Sequence, residues 1–183
     1  MKQTALTLTI AKLRQVRGLI RREWFKMSGL SMKRGGNLGN ISCDWPASVS
    51  IGEDCIIQDG ADFRIEHPFS ANNYIQLGDR VFIGRCCEFN CTSKIIVGND
   101  TMIASNTTIV DVGHHTEKGN NLKSVSEDIN IGSEVWIGAR CVILKGVSIG
   151  NGAIVGAGSV VNKSIPEYEI WAGTPARFIK SRI

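Results

Sequence analysis

From Ile131 to Pro166 the chain falls into sixes, IGSEVW, IGARCV, ILKGVS, IGNGAI, VGAGSV and VNKSIP, each led by an apolar residue. The same register recovers units starting at Ile51, Ile57 and Phe63, at Leu77, Ile83 and Phe89, and at Val97, Ile103 and Ile109. Together these make fifteen units, all with apolar leads, and the fifth position is small or Val in thirteen, the exceptions being His67 and Ile165. Eight units carry Gly second, where a chain rounding a corner needs either a positive φ or close backbone approach.

Six residues are too few for a helix and its turn but suit a short strand plus a corner. One apolar and one small inward residue per side then build a narrow core. Three sides make a triangular turn, and successive turns pair as parallel strands about 4.7 to 4.8 Å apart. The expected fold is all-β, a parallel β-helix of about five 18-residue coils, a prism roughly 24 Å tall. Extra residues follow the units at 63, 89 and 109, always the third side, so the insertions gather on one edge. The longest, 113–130, is polar and leaves the scaffold as a loop, the kind of segment on which function concentrates.

Residues 1–34 read as a basic amphipathic helical segment. Leu6, Ile10, Leu13, Val16, Ile20, Trp24 and Met27 recur at three and four, backed by Arg14, Arg17, Arg21, Arg22 and Lys26. Residues 35–166 are the β-helix domain with its protruding loop 113–130. Residues 167–183 are a C-terminal tail, in which Pro175 to Ile183 is expected to form a short basic helix. The first 34 residues hold a charge of +8 and the remainder −4, against a net +4, so the basicity is local. That segment is expected to pack over the open end of the prism or to make peripheral contact with an anionic membrane. Aromatic residues do not interleave with the basic ones, so no nucleic-acid partner is expected.

No apolar run approaches the roughly 20 residues of a membrane helix, and Lys12 interrupts the short apolar run from Ala5 to Ala11. The expected location is cytoplasmic. The six cysteines lack metal-pair spacing and read as reduced packing residues.

The stretch INIGSEVWIGARCVILKGVSIGNGAIVGAGSVVNKSIPEYEIWAGTPARFIK resembles the C-terminal half of the galactoside, maltose and polysaccharide O-acetyltransferases. With the earlier coils the similarity covers about residues 51–180, and the chain is identified as a member of the hexapeptide-repeat acyltransferases. The repeats alone are shared with γ-type carbonic anhydrases and noncatalytic β-helices. The WIGA, GAGSVV and AGTPAR segments, with a histidine before a long loop, are sharper. The resemblance implies left-handed winding, a homotrimer, acetyl-CoA as acyl donor, and direct transfer to a hydroxyl of a sugar or glycan precursor.

In that family a histidine just ahead of the loop is the general base. Here the segment reads IVDVGHHTEKG. Gly113 and His114 match the Gly-His of galactoside-type enzymes, whereas polysaccharide-type relatives place the base one residue later, at His115. An imidazole near pKa ~6.5 is suited to taking the proton of an attacking hydroxyl. By the same resemblance the backbone N–H of Ala139 meets the developing oxyanion. Trp136 either lines the pantetheine groove or packs on a neighbouring coil. Gly138, Gly156, Ala157 and Gly158 lie along the pantetheine arm, and Asn162, Lys163, Arg177 and Lys180 near the coenzyme A phosphates, where cations are expected.

His67 reads as structural, with a place at the border of an acceptor cleft as the alternative. Gly84 and Thr92 stand where galactoside-type enzymes carry acceptor-contacting Asn and Asp. Lys123 stands where some relatives have a histidine-orienting glutamate, leaving Asp111 or Glu127 as candidates for that role. No metal ligand set is expected. Two other readings stay open. A zinc hydratase of the γ-carbonic anhydrase type would need all three histidines, two of them neighbours that point to opposite faces of an extended segment. The third reading is a noncatalytic trimeric scaffold or binding module.

Overall fold

The computed structural model describes residues 5–66, 72–115 and 123–182. Three sheets run the length of a triangular stack. The first joins Ser31–Met32, Val49–Ile51, Tyr74–Leu77, Lys94–Val97, Ile129–Ile131 and Ser148–Ile149. The third joins Ser42–Cys43, Asp62–Ile65, Glu88–Cys91, Thr108–Val110, Val142–Ile143 and Val160–Val161. Between them in chain order, the second joins Asn37–Leu38, Ile56–Ile57, Phe82–Ile83, Met102–Ile103, Trp136–Ile137, Ile154–Val155 and Glu169–Gly173. All these pairings are parallel, with equivalent units in register: Ile51 beside Leu77, Ile57 beside Ile83, Phe63 beside Phe89.

The first and third sheets hold six strands each, one turn more than the repeat predicts. The stack begins at Ser31, ahead of the expected boundary at 35, because residues 31–43 pair beneath the turn that starts at Val49. Met32 and Leu38 keep the six-residue register of that added turn, but its third lead, Cys43 beside Phe63, comes five residues after Leu38, and the shortened spacing hides it from a pattern of sixes.

All fifteen leading residues are buried, in three columns. Phe63 and Phe89 stack with ring centroids 4.9 Å apart. The small fifth residues face the corner carbonyls of the next turn. The thiols of Cys55, Cys87 and Cys141 donate to the carbonyls of Gly78 (3.1 Å), Ala104 (3.2 Å) and Gly156 (3.2 Å). Thr101 and Thr107 donate their hydroxyls likewise to Gly132 (2.8 Å) and Gly138 (3.1 Å). Burial pushes these three thiols up, so they remain protonated donors. All six cysteines are unpaired; Cys43 is half-buried and Cys86 exposed.

Of the two reasons for a glycine in the second position, close approach is the one that operates. A Cβ on Gly52 would lie 2.2 Å from the carbonyl oxygen of Gly78. Positive φ falls instead on the fourth position, where Asp54, Arg80, Cys86, Asp100, Asn106, Glu134 and Arg140 lie between 52° and 61°.

The expected N-terminal helix spans Ala5–Met27 and rests against the first turn of the stack. Phe25 and Leu30 are buried there, and Arg22 donates to the carbonyls of Gly35 (2.7 Å) and Lys33. Leu13, Val16, Ile20, Trp24 and Met27 of the apolar stripe are all exposed. Among the described residues, no helix is long and apolar enough to cross a membrane.

The C-terminal helix expected over 175–183 is not formed. Ala176–Ser181 is a strand, antiparallel to Glu169–Gly173. Nine residues are too few to hold a helix without a packing face, and the last parallel strand offers an open edge of unpaired backbone groups that a returning strand satisfies.

Candidate active site

The edge that follows the third sheet carries the interruptions. After Thr108–Val110 the chain leaves the scaffold through an antiparallel pair, Val112–His114 against Ser124–Ser126, with His114 opposite Ser124. The N–H of His115 donates to the carbonyl of Lys123 at 3.1 Å. Both histidines are exposed at the mouth of this hairpin. Residues 116–122 of the expected loop, and His67, lie outside the described residues.

Gly113 sits under the stem of Lys145. A Cβ there would approach Cδ and Cε at 3.3 Å, so Gly-His lets the hairpin lie flat on the next turn. The Lys145 ammonium pairs with Glu127, and the Gly146 N–H donates to the Glu127 carbonyl at 3.2 Å. Glu127 is thereby engaged with the scaffold and makes no hydrogen bond to an imidazole among the described residues.

Asp111 is fully buried. Its two carboxylate oxygens accept the N–H of Thr92 (2.8 Å) and of Ser93 (2.7 Å), clasping the corner one turn below. Burial pushes this carboxyl up, the two amides acting against the shift. Asp111 therefore braces the corner from which the hairpin departs and does not touch a histidine. Asp111→Ala leaves both amides without an acceptor, and the expected result is a loss of about 2–3 kcal/mol in urea denaturation, with retained far-ultraviolet dichroism. Thr92 also donates its hydroxyl to Glu66 at 3.3 Å. Gly84 has no room for a side chain, since its Cβ would meet Ser105 N at 2.5 Å.

The remaining candidates divide between two places. Asn162 and Lys163 follow Val160–Val161 on the same edge as the histidines, two turns further along. Trp136 is 53 % exposed on the outward face of the second sheet, in a column with Met102 and Ile154. Gly138, Ala139, Gly156, Ala157 and Gly158 form the edge after that sheet. Arg177 and Lys180 lie on the antiparallel strand that extends it. Lys163, Arg177 and Lys180 are exposed, and none has an ion pair among the described residues.

Stacking accounts for two of these glycines: a Cβ on Gly138 would lie 2.5 Å from Ala157 N, and one on Gly156 2.7 Å from the Ala172 Cβ. Gly158, at φ 72°, borders open space, with no atom within 4 Å of an added Cβ.

Ala139 is one of the rungs whose corner amide has no partner among the described residues, with Asp59, Ser105 and Ala157 on the same edge. Along the edge after the first sheet, each corner amide is received by the side chain one turn further on. Glu53 N–H goes to Asp79 (2.8 Å), Asp79 N–H to Asn99 (2.8 Å), Asn99 N–H to Ser133 (3.1 Å) and Ser133 N–H to Asn151 (2.8 Å). Along the edge after the second sheet, Asn40 N–H goes to Asp59 (2.7 Å) and Arg85 N–H to Ser105 (3.1 Å). At the same place beneath Ala139 stands Ala157, whose methyl accepts nothing. The Ala139 N–H has no acceptor among the described residues, while its carbonyl is held by the Gly158 N–H at 2.8 Å. The third letter of the sixes reads Glu, Asp, Asn, Ser and Asn on one edge, and Asn, Asp, Arg, Ser, Ala and Ala on this one, so side-chain acceptors run out at its last two rungs.

Among the described residues, no group of three or more His, Cys, Asp or Glu side chains is placed to hold a metal ion.

A family model described as bacterial transferase hexapeptide (six repeats) matches residues 128–163. The Galactoside O-acetyltransferase of Escherichia coli (strain K12) is 39 % identical over 115 residues, 58 % of this chain and 57 % of that protein. The same organism's WbbJ, whose name carries the words lipopolysaccharide biosynthesis O-acetyl transferase, is 33 % identical over 144 residues, 73 % of this chain and 71 % of that one. The chain belongs to the hexapeptide-repeat acyltransferases.

The likeness to solved members extends along most of the chain. AntD, an N-acyltransferase from Bacillus cereus in complex with dTDP and Coenzyme A, superposes with a TM-score of 0.75 at 22 % identity, covering 89 % of this chain and 90 % of that one. The hexapeptide-repeat acetyltransferase VCA0836 of Vibrio cholerae, complexed with acetyl coenzyme A, gives 0.61 at 23 %, covering 90 % and 78 %. At these identities what is shared is the fold.

Proposed function

We propose that this hexapeptide-repeat protein transfers an acetyl group from acetyl-CoA to a hydroxyl of a sugar or glycan precursor, with an imidazole of the His114 and His115 pair, His114 first, as general base. The observation that carries the proposal is the Ala139 amide, unpaired like those of Asp59, Ser105 and Ala157 on its edge but with its carbonyl held by Gly158, beside which the surface is open. An amide held rigid by its neighbours and free of any partner is the donor an oxyanion needs.

The imidazole accepts the proton of the acceptor hydroxyl as its oxygen attacks the thioester carbonyl. The oxyanion of the tetrahedral intermediate takes the Ala139 N–H. The C–S bond then breaks and the leaving sulfur recovers the proton from the imidazolium, so no acyl-enzyme forms. Gly158 gives the pantetheine arm room beside the backbone, and Lys163, Arg177 and Lys180 supply free cations for the phosphates.

The two halves of this machinery stand on different edges of one prism, so a site containing both takes two copies. The histidine edge of one copy set against the Ala139 edge of the next, repeated until it closes, gives a homotrimer with three sites. The half-exposed Trp136 and Met102 on the second sheet, beside the Ala139 edge, are an apolar surface suited to such a contact.

The test is release of coenzyme A from acetyl-CoA against galactosides, other glycan hydroxyls and, as a separate arm, amino sugars, since AntD is named for N-acyl transfer. Turnover on hydroxyl acceptors is the expected result. Release with amino sugars alone would make it an N-acetyltransferase, and no release with any acceptor would return the protein to the class of binding scaffolds.

A further inference from the structure

At the far end of the stack from these residues, the helix and the first turns enclose a cavity of about 690 Å³. Arg17, Arg21 and Arg22 of the helix line it, with Asn37 and Asn40 of the first turn and Arg85 two turns on. The guanidiniums of Arg17, Arg21 and Arg85, and the carboxamides of Asn37 and Asn40, have no partner among the described residues. Arg22 spends its terminal nitrogens on the Gly35 and Lys33 carbonyls, and its buried Nε finds no acceptor. The one carboxylate in the lining, Asp59, accepts the Asn40 N–H at 2.7 Å.

Four guanidiniums thus surround one carboxylate. Elsewhere two arginines pair closely with a carboxylate, Arg64 with Asp62 at 2.7 Å and Arg80 with Asp100 at 2.6 Å. Unpaired like charges repel, and holding several around one cavity is favourable only when an anion answers them. Three planar forks, two on the helix and one at a corner two turns away, line the same cavity and offer more donors than the two oxygens of a carboxylate can use. They suit the three or more oxygens of a phosphate. The cavity is also much larger than an inorganic ion and falls within the span of small-molecule sites, about 300–1,000 Å³.

We propose that this cavity binds a phosphate-bearing ligand, seated with its phosphate among Arg17, Arg21 and Arg85 and with Asn37 and Asn40 on its uncharged part. The site is separate from the acetyl-transfer residues and stands whether or not that reading holds. The outward apolar stripe of the same helix makes a phospholipid headgroup one source of the phosphate; a soluble diphosphate ester is the other.

The experiment titrates the full chain with inorganic pyrophosphate by calorimetry and, in a second arm, with vesicles of phosphatidylcholine alone or mixed with phosphatidylglycerol. Saturable pyrophosphate binding, weakened at least tenfold in Arg17→Gln/Arg85→Gln and partly in Arg85→Gln alone, is expected, with melting temperature and acetyl transfer unchanged. Binding of only the phosphatidylglycerol vesicles, lost in the same double variant, supports the cavity with a lipid headgroup as its ligand. Absence of binding to both probes overturns the proposal, as does binding that the arginine variants leave intact, which would move the anion to another surface such as that around Lys163 and Arg177.

Discussion

His114→Ala is expected to lower kcat by about 10²- to 10⁴-fold, the usual contribution of a positioned general base. The KM for acetyl-CoA and the melting temperature should stay as they are. The imidazole is exposed at the end of a two-stranded hairpin, and no buried contact depends on it. A sugar hydroxyl titrates far above neutrality, so the proton must leave as the C–O bond forms, and an imidazole beside it removes that proton without specific base from water. The parent protein should lose rate in acid, where a general base is protonated, and the variant should lack that acid limb. His115→Ala serves as the partner measurement. Its backbone is pinned by Lys123 at 3.1 Å, and neighbouring side chains of an extended segment point to opposite faces. A large loss in His115→Ala with a small one in His114→Ala would transfer the role by one residue. Full turnover in both would remove the imidazole from the mechanism.

The second large effect tests the free amide without touching a histidine. Ala157→Asn places under Ala139 the acceptor that Asn151 provides under Ser133, where the bond is 2.8 Å long. If Ala139 N–H stabilises the oxyanion, giving it a permanent partner should cost about 2.7–4 kcal/mol of transition-state stabilisation, or 10² to 10³ in kcat. Stability should rise slightly, because a corner amide is now satisfied. Extra bulk beside the pantetheine path is the competing explanation, and Ala157→Val controls for it, since a branched methyl group fills comparable space and accepts nothing. The expected pattern is a kcat loss for Asn well beyond that for Val, with the KM for acetyl-CoA raised similarly in both. Equal losses would assign the effect to sterics and leave Ala139 without a role.

The periodicity was sufficient for the core. Every apolar lead from Ile51 to Val161 is buried, and the insertions fall on one edge, because in stacked parallel strands a residue's place in its six decides which way it points. Where the pattern thinned, legibility failed. A spacing of five between Leu38 and Cys43 masked the first turn, and the tail from Pro175, read as a helix, took the strand that an open sheet edge offered. The orienting carboxylate is the sharpest miss within the site. Asp111 stands three residues before His114, near enough in sequence to suggest contact, yet its oxygens are spent on Thr92 and Ser93. A carboxylate buried at a corner is drawn to the nearest unsatisfied amides, and these come from a turn some twenty residues earlier in the chain.

By itself the sequence determined the winding into stacked triangles, the identity of the core and the edge at which the chain leaves the scaffold, since each depends on spacing repeated within a few residues. Only the tertiary structure decided that the histidines and Ala139 stand on separate edges, that Ala157 leaves one amide unanswered, and that four arginines border a single cavity. Those facts are set by which residue lies one turn above another, or by how the helix meets the end of the stack. Such neighbours are brought together by stacking across insertions of unequal length, and no local pattern counts them.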